Sequence, residues 1–177
     1  MSATPAIEVL AAGAFASVQD LGRRGHRRIG VPWAGVLDAR LMRVANALVG
    51  NPEGAAVIEC FDGGLQLAAR DGAVRLAVAG DAEFEVDSGG ERRLLVPWTS
   101  LTLADGEVLR LRRMTTGRIA AVAIEGLAVA AVLGSASTYG RAALGGVDGR
   151  ALKAGDRLSA AAPTARSEEH TSELQSH

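Results

Sequence analysis

The chain has 177 residues, 48% of them hydrophobic, and a formal net charge of −1 at neutral pH. This length and apolar content suit one domain with a single core and argue against wholesale disorder. The balanced charge leaves no electrostatic footprint for nucleic acid or an anionic membrane, so we expect neither as a partner. The single cysteine, Cys60, permits no internal disulfide, and the N-terminus lacks the features of a signal peptide. We therefore expect a cytoplasmic protein.

The first 51 residues contain a dense polar segment, SVQDLGRRGHRRIGVPWAGVLD, in residues 17–38. Its glycines permit tight turns, and a loop that is both shaped and charged often positions chemistry. The loop arginines, Arg23, Arg24, Arg27 and Arg28, could hold a carboxylate or phosphate in bidentate fashion. Alternatively, some of these arginines are solvated and others pair with Asp20 or Asp38.

One segment has helical periodicity. Leu41, Val44, Ala45 and Leu48 recur at spacings of three and four residues after Asp38, which is a good N-cap. The sequence Gly-Asn-Pro in residues 50–52 then ends the pattern. This spacing predicts one amphipathic helix near residues 38–49.

Most of the remaining chain alternates apolar and polar residues, which is typical of β-strands. The alternation is clearest in residues 74–78, 84–86, 101–103, 108–111 and 119–124, with Gly-containing turns between them. Turns spaced roughly eight to twelve residues apart favour an all-β sandwich or barrel.

Several chemistries are excluded by the residues themselves. Before residue 166 the chain has one histidine and one cysteine, so no His/Cys zinc cluster can form, and we expect no metal site of this kind. Lys153 is followed by Ala154, so there is no Walker A motif, although Mg²⁺ arriving with a nucleotide stays open. Asp20 and Asp38 are the carboxylates best placed to act as catalytic groups. Each also has a structural alternative, since Asp20 can brace a turn and Asp38 can cap the helix.

A second polar segment lies at residues 134–141. Its polar side chains could bind a small polar ligand, or they could satisfy buried backbone groups at a corner of the fold; they are Ser135, Ser137, Thr138, Tyr139 and Arg141. Glu59 lies in an apolar, strand-like run and needs a partner there; one of the loop arginines is the expected one.

Two ordered blocks of sequence resemble a known family. The first reads SVQDLGR, GVP, GxxD and ANxLVGN between residues 17 and 51, and the second reads GSxSTY, GGxxGRxL and GDRL between residues 134 and 158. Their order is similar to that of the biotin-dependent carboxyltransferase (allophanate hydrolase subunit 2) family, over about residues 7–158. The resemblance implies a mainly β fold, a cyclophilin-like β-barrel with the one amphipathic helix. It covers only the N-terminal half of that family.

That family includes the C subunit of a bacterial 5-oxoprolinase, the carboxyltransferase region of urea carboxylase and an antagonist of a kinase inhibitor. The resemblance therefore implies a subunit of an ATP-dependent amide hydrolase, or a carboxyltransferase that acts on a small amide or urea-like substrate. ATP, with or without Mg²⁺, would act through the assembled complex, with biotin on a separate chain as the alternative. The expected partner is a companion subunit similar to the B subunit of 5-oxoprolinase. A non-catalytic binding protein is the competing interpretation.

Asp20 and Asp38 fall at positions that match the family pattern, and we expect them to be the catalytic carboxylates. From their own chemistry, the expected substrate-binding residues are Arg23, Arg27, Arg28, Ser137, Tyr139 and Arg141. Residues 1–165 would be the N-terminal, subdomain A-like part of a longer domain. Residues 166–177, RSEEHTSELQSH, match the translation of a common sequencing adaptor, so we interpret them as read-through that is not native.

Overall fold

The computed structural model describes residues 4–164, which form a mainly β protein with eleven strands and one α-helix. The segment interpreted as adaptor read-through lies outside these residues. The elements are β1 (Ala6–Ala12), β2 (Phe15–Gln19), α1 (Ala39–Val49), β3 (Val57–Phe61), β4 (Leu65–Arg70), β5 (Val74–Ala79), β6 (Ala82–Ser88), β7 (Glu91–Leu95), β8 (Thr99–Leu103), β9 (Val108–Met114), β10 (Ile119–Ile124) and β11 (Arg157–Ser159). Short 3₁₀ turns occupy Arg27–Ile29 and Gly140–Ala142.

The strands form two antiparallel sheets that enclose the main core. The six-stranded sheet has the order β11-β1-β4-β9-β6-β7, and the five-stranded sheet has the order β2-β3-β10-β5-β8. The mainly β prediction with one helix is confirmed. The expected closure into one barrel is wrong for the described residues, because the two sheets remain separate and each has two end strands.

Period-two alternation decides which side chains enter the core. On β5, Val74 and Leu76 point inward and lie opposite Leu103 and Leu101 of β8. Strands are present at all five of the predicted positions. Strand β3 coincides with the strand-like run that was expected around Glu59. Strands β1, β2, β4 and β7 were not predicted; β7 is exposed along most of its length and so carries little apolar signal.

Helix α1 packs on the outer face of the five-stranded sheet. Asp38 caps its start by accepting hydrogen bonds from the amides of Arg40 and Leu41, and Gly50 ends it in the left-handed conformation. The helix was predicted within one residue of its bounds, but its stripe is shifted. Its buried residues are Met42, Ala45, Asn46 and Val49, and Leu41, Val44 and Leu48 lie half-buried at the flank.

The helix packs against alanines of the five-stranded sheet. Ala77 and Ala79 of β5, with Ala121 and Ala123 of β10, present a flat surface that lets the helix approach closely. In residues 4–164 no helix is both long and apolar enough to cross a membrane.

Candidate functional site

The arginine-rich loop closes on itself at a narrow neck directly after β2. The amide of Arg23 donates to the carbonyl of Trp33 at 2.8 Å, and the amide of Val36 donates to the carbonyl of Asp20 at 2.9 Å. Gly22 is needed here because its φ is +83° and a Cβ would lie 2.6 Å from the carbonyl oxygen of Trp33. Residues 24–32 therefore project from the neck, and we call them the tongue.

The carboxylate of Asp20 joins the two polar blocks of the sequence. Its Oδ1 accepts hydrogen bonds from the amide of Gly22 at 2.7 Å and from the hydroxyls of Ser135 and Ser137 at 2.6 and 2.5 Å. Its Oδ2 accepts from the amide of Ala136 at 2.7 Å. Four donors from two distant segments thus meet on one side chain, which fixes the loop against residues 135–137.

These hydrogen bonds set the charge state of Asp20. Burial alone would raise the pKa of this carboxyl, but the donors from Ser135, Ser137, Gly22 and Ala136 together outweigh burial and hold the pKa below its usual value. A carboxylate that is both occupied and weakly basic is suited to positioning the loop. Its predicted catalytic role stays a prediction.

Arg23 is the buried arginine of the loop, with 1% of its surface exposed. Its Nε donates to the carbonyl of Val132 at 3.3 Å, and one terminal nitrogen donates to the carbonyl of Ser137. Its other terminal nitrogen, Nη1, is buried without a hydrogen-bond partner. Within residues 4–164 no carboxylate forms an ion pair with Arg23. The alternative in which a loop arginine pairs with Asp20 is therefore not met by Arg23, because Ser135 and Ser137 occupy that carboxylate.

Arg27 and Arg28 lie on the exposed tongue. The guanidinium of Arg27 lies 4.4 Å from the ring centroid of Trp33, and that of Arg24 lies 5.2 Å from it. Both distances allow cation–π attraction. The structure thus separates Arg23, which braces the neck, from Arg27 and Arg28, which face solvent.

Asp38 lies in a different place, at the edge of an open cleft of about 300 Å³. Its Oδ1 caps α1, accepting from the amides of Arg40 at 2.9 Å and Leu41 at 3.2 Å. The cleft is also lined by Asp81 and Trp98, and the indole nitrogen of Trp98 donates to Asp81 at 3.0 Å. Sequence reasoning missed Asp81, whose only local signal was a Gly-Asp turn.

Trp98 adopts a strained backbone conformation beside this cleft. Its φ is +65°, which is rare for a bulky residue, and its amide donates to the carbonyl of Val78 at 2.9 Å. The two hydrogen bonds hold the indole over the cleft. A second cleft of about 340 Å³, lined by Phe15, Phe61 and Asp62, shares Arg118 with the first.

Glu59 is buried beneath the end of the loop. Its Oε1 accepts hydrogen bonds from the amides of Leu37 at 2.8 Å and Asp38 at 3.4 Å. The expected arginine partner is wrong for the described residues, because no ion pair includes Glu59 there. Burial raises the pKa of this carboxyl, the two amides oppose the rise, and the charge of Asp38 adds to it.

The second polar block, like the arginine-rich loop, has both buried and exposed candidate site residues. Ser137 is fully buried and bonds Asp20, whereas Tyr139 is half-buried and Arg141 is exposed. The amide of Tyr139 donates to the carbonyl of Leu144 at 2.8 Å, within a tight turn. Of the predicted site residues, the structure brings together Asp20, Arg23 and Ser137, and it leaves Asp38, Arg27, Arg28, Tyr139 and Arg141 in other places.

Neither Cys60 nor a metal cluster adds chemistry to the part of the chain that the structure describes. Cys60 is buried, and burial raises the pKa of its thiol to about 12, so it carries no thiolate at neutral pH. Across residues 4–164 no three His, Cys, Asp or Glu side chains are arranged to hold a metal ion.

This fold and these two sequence blocks define a class of protein. The sequence model described as "Carboxyltransferase domain, subdomain A and B" matches residues 29–177, which is most of the chain. The chain belongs to the carboxyltransferase domain family.

Particular members of that class are recognisably similar. The chain is 36% identical over 156 residues to the C subunit of 5-oxoprolinase from Escherichia coli strain K12. The matched region covers 86% of this chain and 48% of the relative. It is 37% identical over 155 residues to "Urea amidolyase" of Saccharomyces cerevisiae, covering 86% of this chain and 8% of that protein. The chain thus spans about half the length of the 5-oxoprolinase chain that it matches.

Solved structures agree with this membership. The urea carboxylase of Kluyveromyces lactis superposes with a TM-score of 0.82 at 34% identity, covering 90% of this chain and 14% of that one. The K. lactis urea amidolyase gives a TM-score of 0.81, also at 34% identity, covering 90% of this chain and 10% of that one.

Proposed function

We propose that the chain is a subunit of an ATP-dependent 5-oxoprolinase-type amide hydrolase. The observation that carries this proposal is its 36% identity to the C subunit of a 5-oxoprolinase across 86% of the chain. The corresponding 5-oxoprolinase chain from Haemophilus influenzae is 32% identical over 88% of the chain. The substrate on this proposal is a small cyclic amide, and the protein works in the cytoplasm.

A biotin-dependent carboxyltransferase acting on a urea-like substrate is the second candidate. It is supported by the family description and by the structural likeness to urea carboxylase. The two candidates share a need to bind a small amide and to work with another chain or domain. For the first candidate, ATP, with or without Mg²⁺, would act through the complex with a companion subunit similar to the B subunit of 5-oxoprolinase. For the second, biotin would arrive on a separate chain.

We place the amide in the cleft beside Asp38. One oxygen of Asp38 is engaged by the helix amides, and within residues 4–164 its Oδ2 accepts no hydrogen bond. That oxygen can accept an N–H from the substrate or act as a base. Asp81 and Trp98 provide a second acceptor and an apolar wall. Asp20, Arg23 and Ser137 support the site by fixing the loop that leads to Asp38.

The variant Asp38→Asn tests this placement. Asparagine is as good an N-cap as aspartate, so we expect the far-UV circular dichroism and the melting temperature to stay unchanged. We expect 5-oxoproline-dependent ATP hydrolysis by the reconstituted complex to fall about 100-fold, because a positioned base contributes at least that much. Asp148→Asn, at a side chain that is 80% exposed, is the matched control and should keep the wild-type rate.

Each result has a defined meaning. A wild-type rate for Asp38→Asn would remove Asp38 from the site. Biotin-dependent carboxyl transfer to urea, without 5-oxoproline-dependent ATP hydrolysis, would favour the second candidate. Absence of both activities from the wild-type complex would overturn both enzyme proposals and favour the non-catalytic binding protein.

A further inference from the structure

The tongue and its neck carry an exposed surface that combines positive charge with apolar area. It consists of Arg24, Arg27, Arg28, Ile29 and Trp33, and we call it the Arg–Trp surface. Ile29 is 68% exposed and Trp33 is 44% exposed. Exposed apolar side chains that are grouped and rimmed by polar residues mark interaction sites.

The charge of this surface has no local compensation. Nine other arginines of the described chain form ion pairs with acidic side chains, for example Arg118 with Asp62 and Arg150 with Asp156. Within residues 4–164 no acidic side chain pairs with Arg24, Arg27 or Arg28. Two like-charged guanidiniums also converge on the single indole of Trp33. An acidic partner would relieve that repulsion.

The surface is also held in shape. The neck is closed by two backbone hydrogen bonds, and the buried Arg23 ties it to the carbonyl oxygens of Val132 and Ser137. At the tip, residues Arg27–Ile29 form a 3₁₀ turn that Gly30 ends. A preorganised surface loses less conformational entropy when it binds a partner.

We propose that the Arg–Trp surface docks an acidic and apolar protein surface of the companion subunit. A small anion fits less well, because it would leave Ile29 in water. Moreover, neither of the two clefts of about 300 Å³ and 340 Å³ is lined by a tongue residue. Arginine and tryptophan are the residue types enriched at the energetic centres of protein interfaces. The identity of the partner rests on the proposed function, whereas the chemistry of the surface does not.

The test compares two charge reversals of equal size. The variant Arg27→Glu/Arg28→Glu changes the Arg–Trp surface, and Arg92→Glu/Arg93→Glu changes an exposed arginine pair on β7. Binding of the purified companion subunit is measured by calorimetry at low and high salt. We expect the first variant, and Trp33→Ala, each to weaken binding about tenfold or more, while the β7 variant binds as wild type does. Wild-type binding should weaken with salt, and the Arg27→Glu/Arg28→Glu variant should lose much of that dependence.

Binding and activity separate the two proposals. If the two double variants bind the companion subunit equally well, the docking proposal is overturned even if the complex is active. It is also overturned if the wild-type chain does not bind the companion subunit. If only the Arg–Trp variants lose binding, the docking proposal is supported. If the wild-type complex also has neither enzymatic activity, the proposed function is overturned while the docking proposal stands. A third outcome would identify a small-anion site instead. In that case inorganic phosphate or ATP binds the wild-type chain but not Arg27→Glu/Arg28→Glu, while the companion subunit binds the wild-type chain and this variant equally well.

Discussion

A single carboxylate, that of Asp20, holds the two polar blocks of the sequence together. Its serine partners follow it by 115 and 117 residues along the chain. Because each oxygen accepts from a different set of donors, the side chain cross-links the neck of the loop to residues 135–137. Hydrogen bonds to a charged acceptor are stronger than those between neutral groups.

Asp20→Asn should destabilise the protein by about 2 kcal/mol at neutral pH. The asparagine NH₂ group is a hydrogen-bond donor, and it would replace a carboxylate oxygen that now accepts from the protein's own donors. The effect should depend on pH. Since the folded-state pKa of Asp20 is depressed, its stabilisation is full above the unfolded pKa of about 3.9 and is lost as the pH falls through the folded value. Urea unfolding of wild type and variant across this range measures the difference. A gap that is constant down to the lowest pH would contradict this account.

Buried charge without an opposite charge is the other feature at this scale. Arg23 and Glu59 are both buried, and each is held by backbone groups rather than by an opposite charge among the described residues. Such groups are costly to bury, which is why an ion pair was expected for Glu59. The carbonyls of Val132 and Ser137 take the place of a partner for Arg23, and the amides of Leu37 and Asp38 at the end of the loop do so for Glu59.

The elements around the loop depend on close packing by small residues. Helix α1 lies on the alanines of β5 and β10, and its cap residue Asp38 also donates its amide to Glu59. The helix start, the end of the loop and β3 are therefore one connected unit. A change in the packing of α1 should be felt at the cleft that Asp38 lines.

Met42→Ala should cost about 2–5 kcal/mol, because Met42 is fully buried between α1 and the sheet. Leu41→Ala should cost clearly less, since Leu41 is only half-buried at the flank. The two residues are neighbours, so the pair tests which stripe of the helix faces the sheet. Denaturant unfolding gives both values, and a larger loss for Leu41→Ala would mean that the periodicity had indicated the buried face correctly.

At the scale of the whole molecule, an irregular segment ties the two sheets together. The amide of Thr138 donates to the carbonyl of Val18 in β2, and the amide of Gly155 donates to the carbonyl of Val9 in β1. Between them, the amide of Leu152 donates to Ala16. Residues 127–156 thus bridge strands of both sheets without forming a long strand of their own.

Unfolding should therefore be a single cooperative transition. Tryptophan fluorescence reports the loop and the cleft through Trp33 and Trp98, whereas far-UV circular dichroism reports the sheets. The two signals should change at the same denaturant concentration, and Phe84→Ala, which opens the shared core, should lower both midpoints together. Separate midpoints would show that the loop and α1 unfold independently of the sheets.

The sequence by itself determined the mainly β character, five of the strands, the helix with its cap and stop, and the family. Each of these depends on residues a few positions apart or on the order of motifs, so local patterning is enough. Only the tertiary structure decided that the strands form two sheets, that Met42 faces the sheet and that Asp20 and Asp38 lie in different places. Those outcomes depend on packing and on hydrogen bonds between segments more than 100 residues apart, such as Asp20 to Ser137, and no short window of sequence contains both partners.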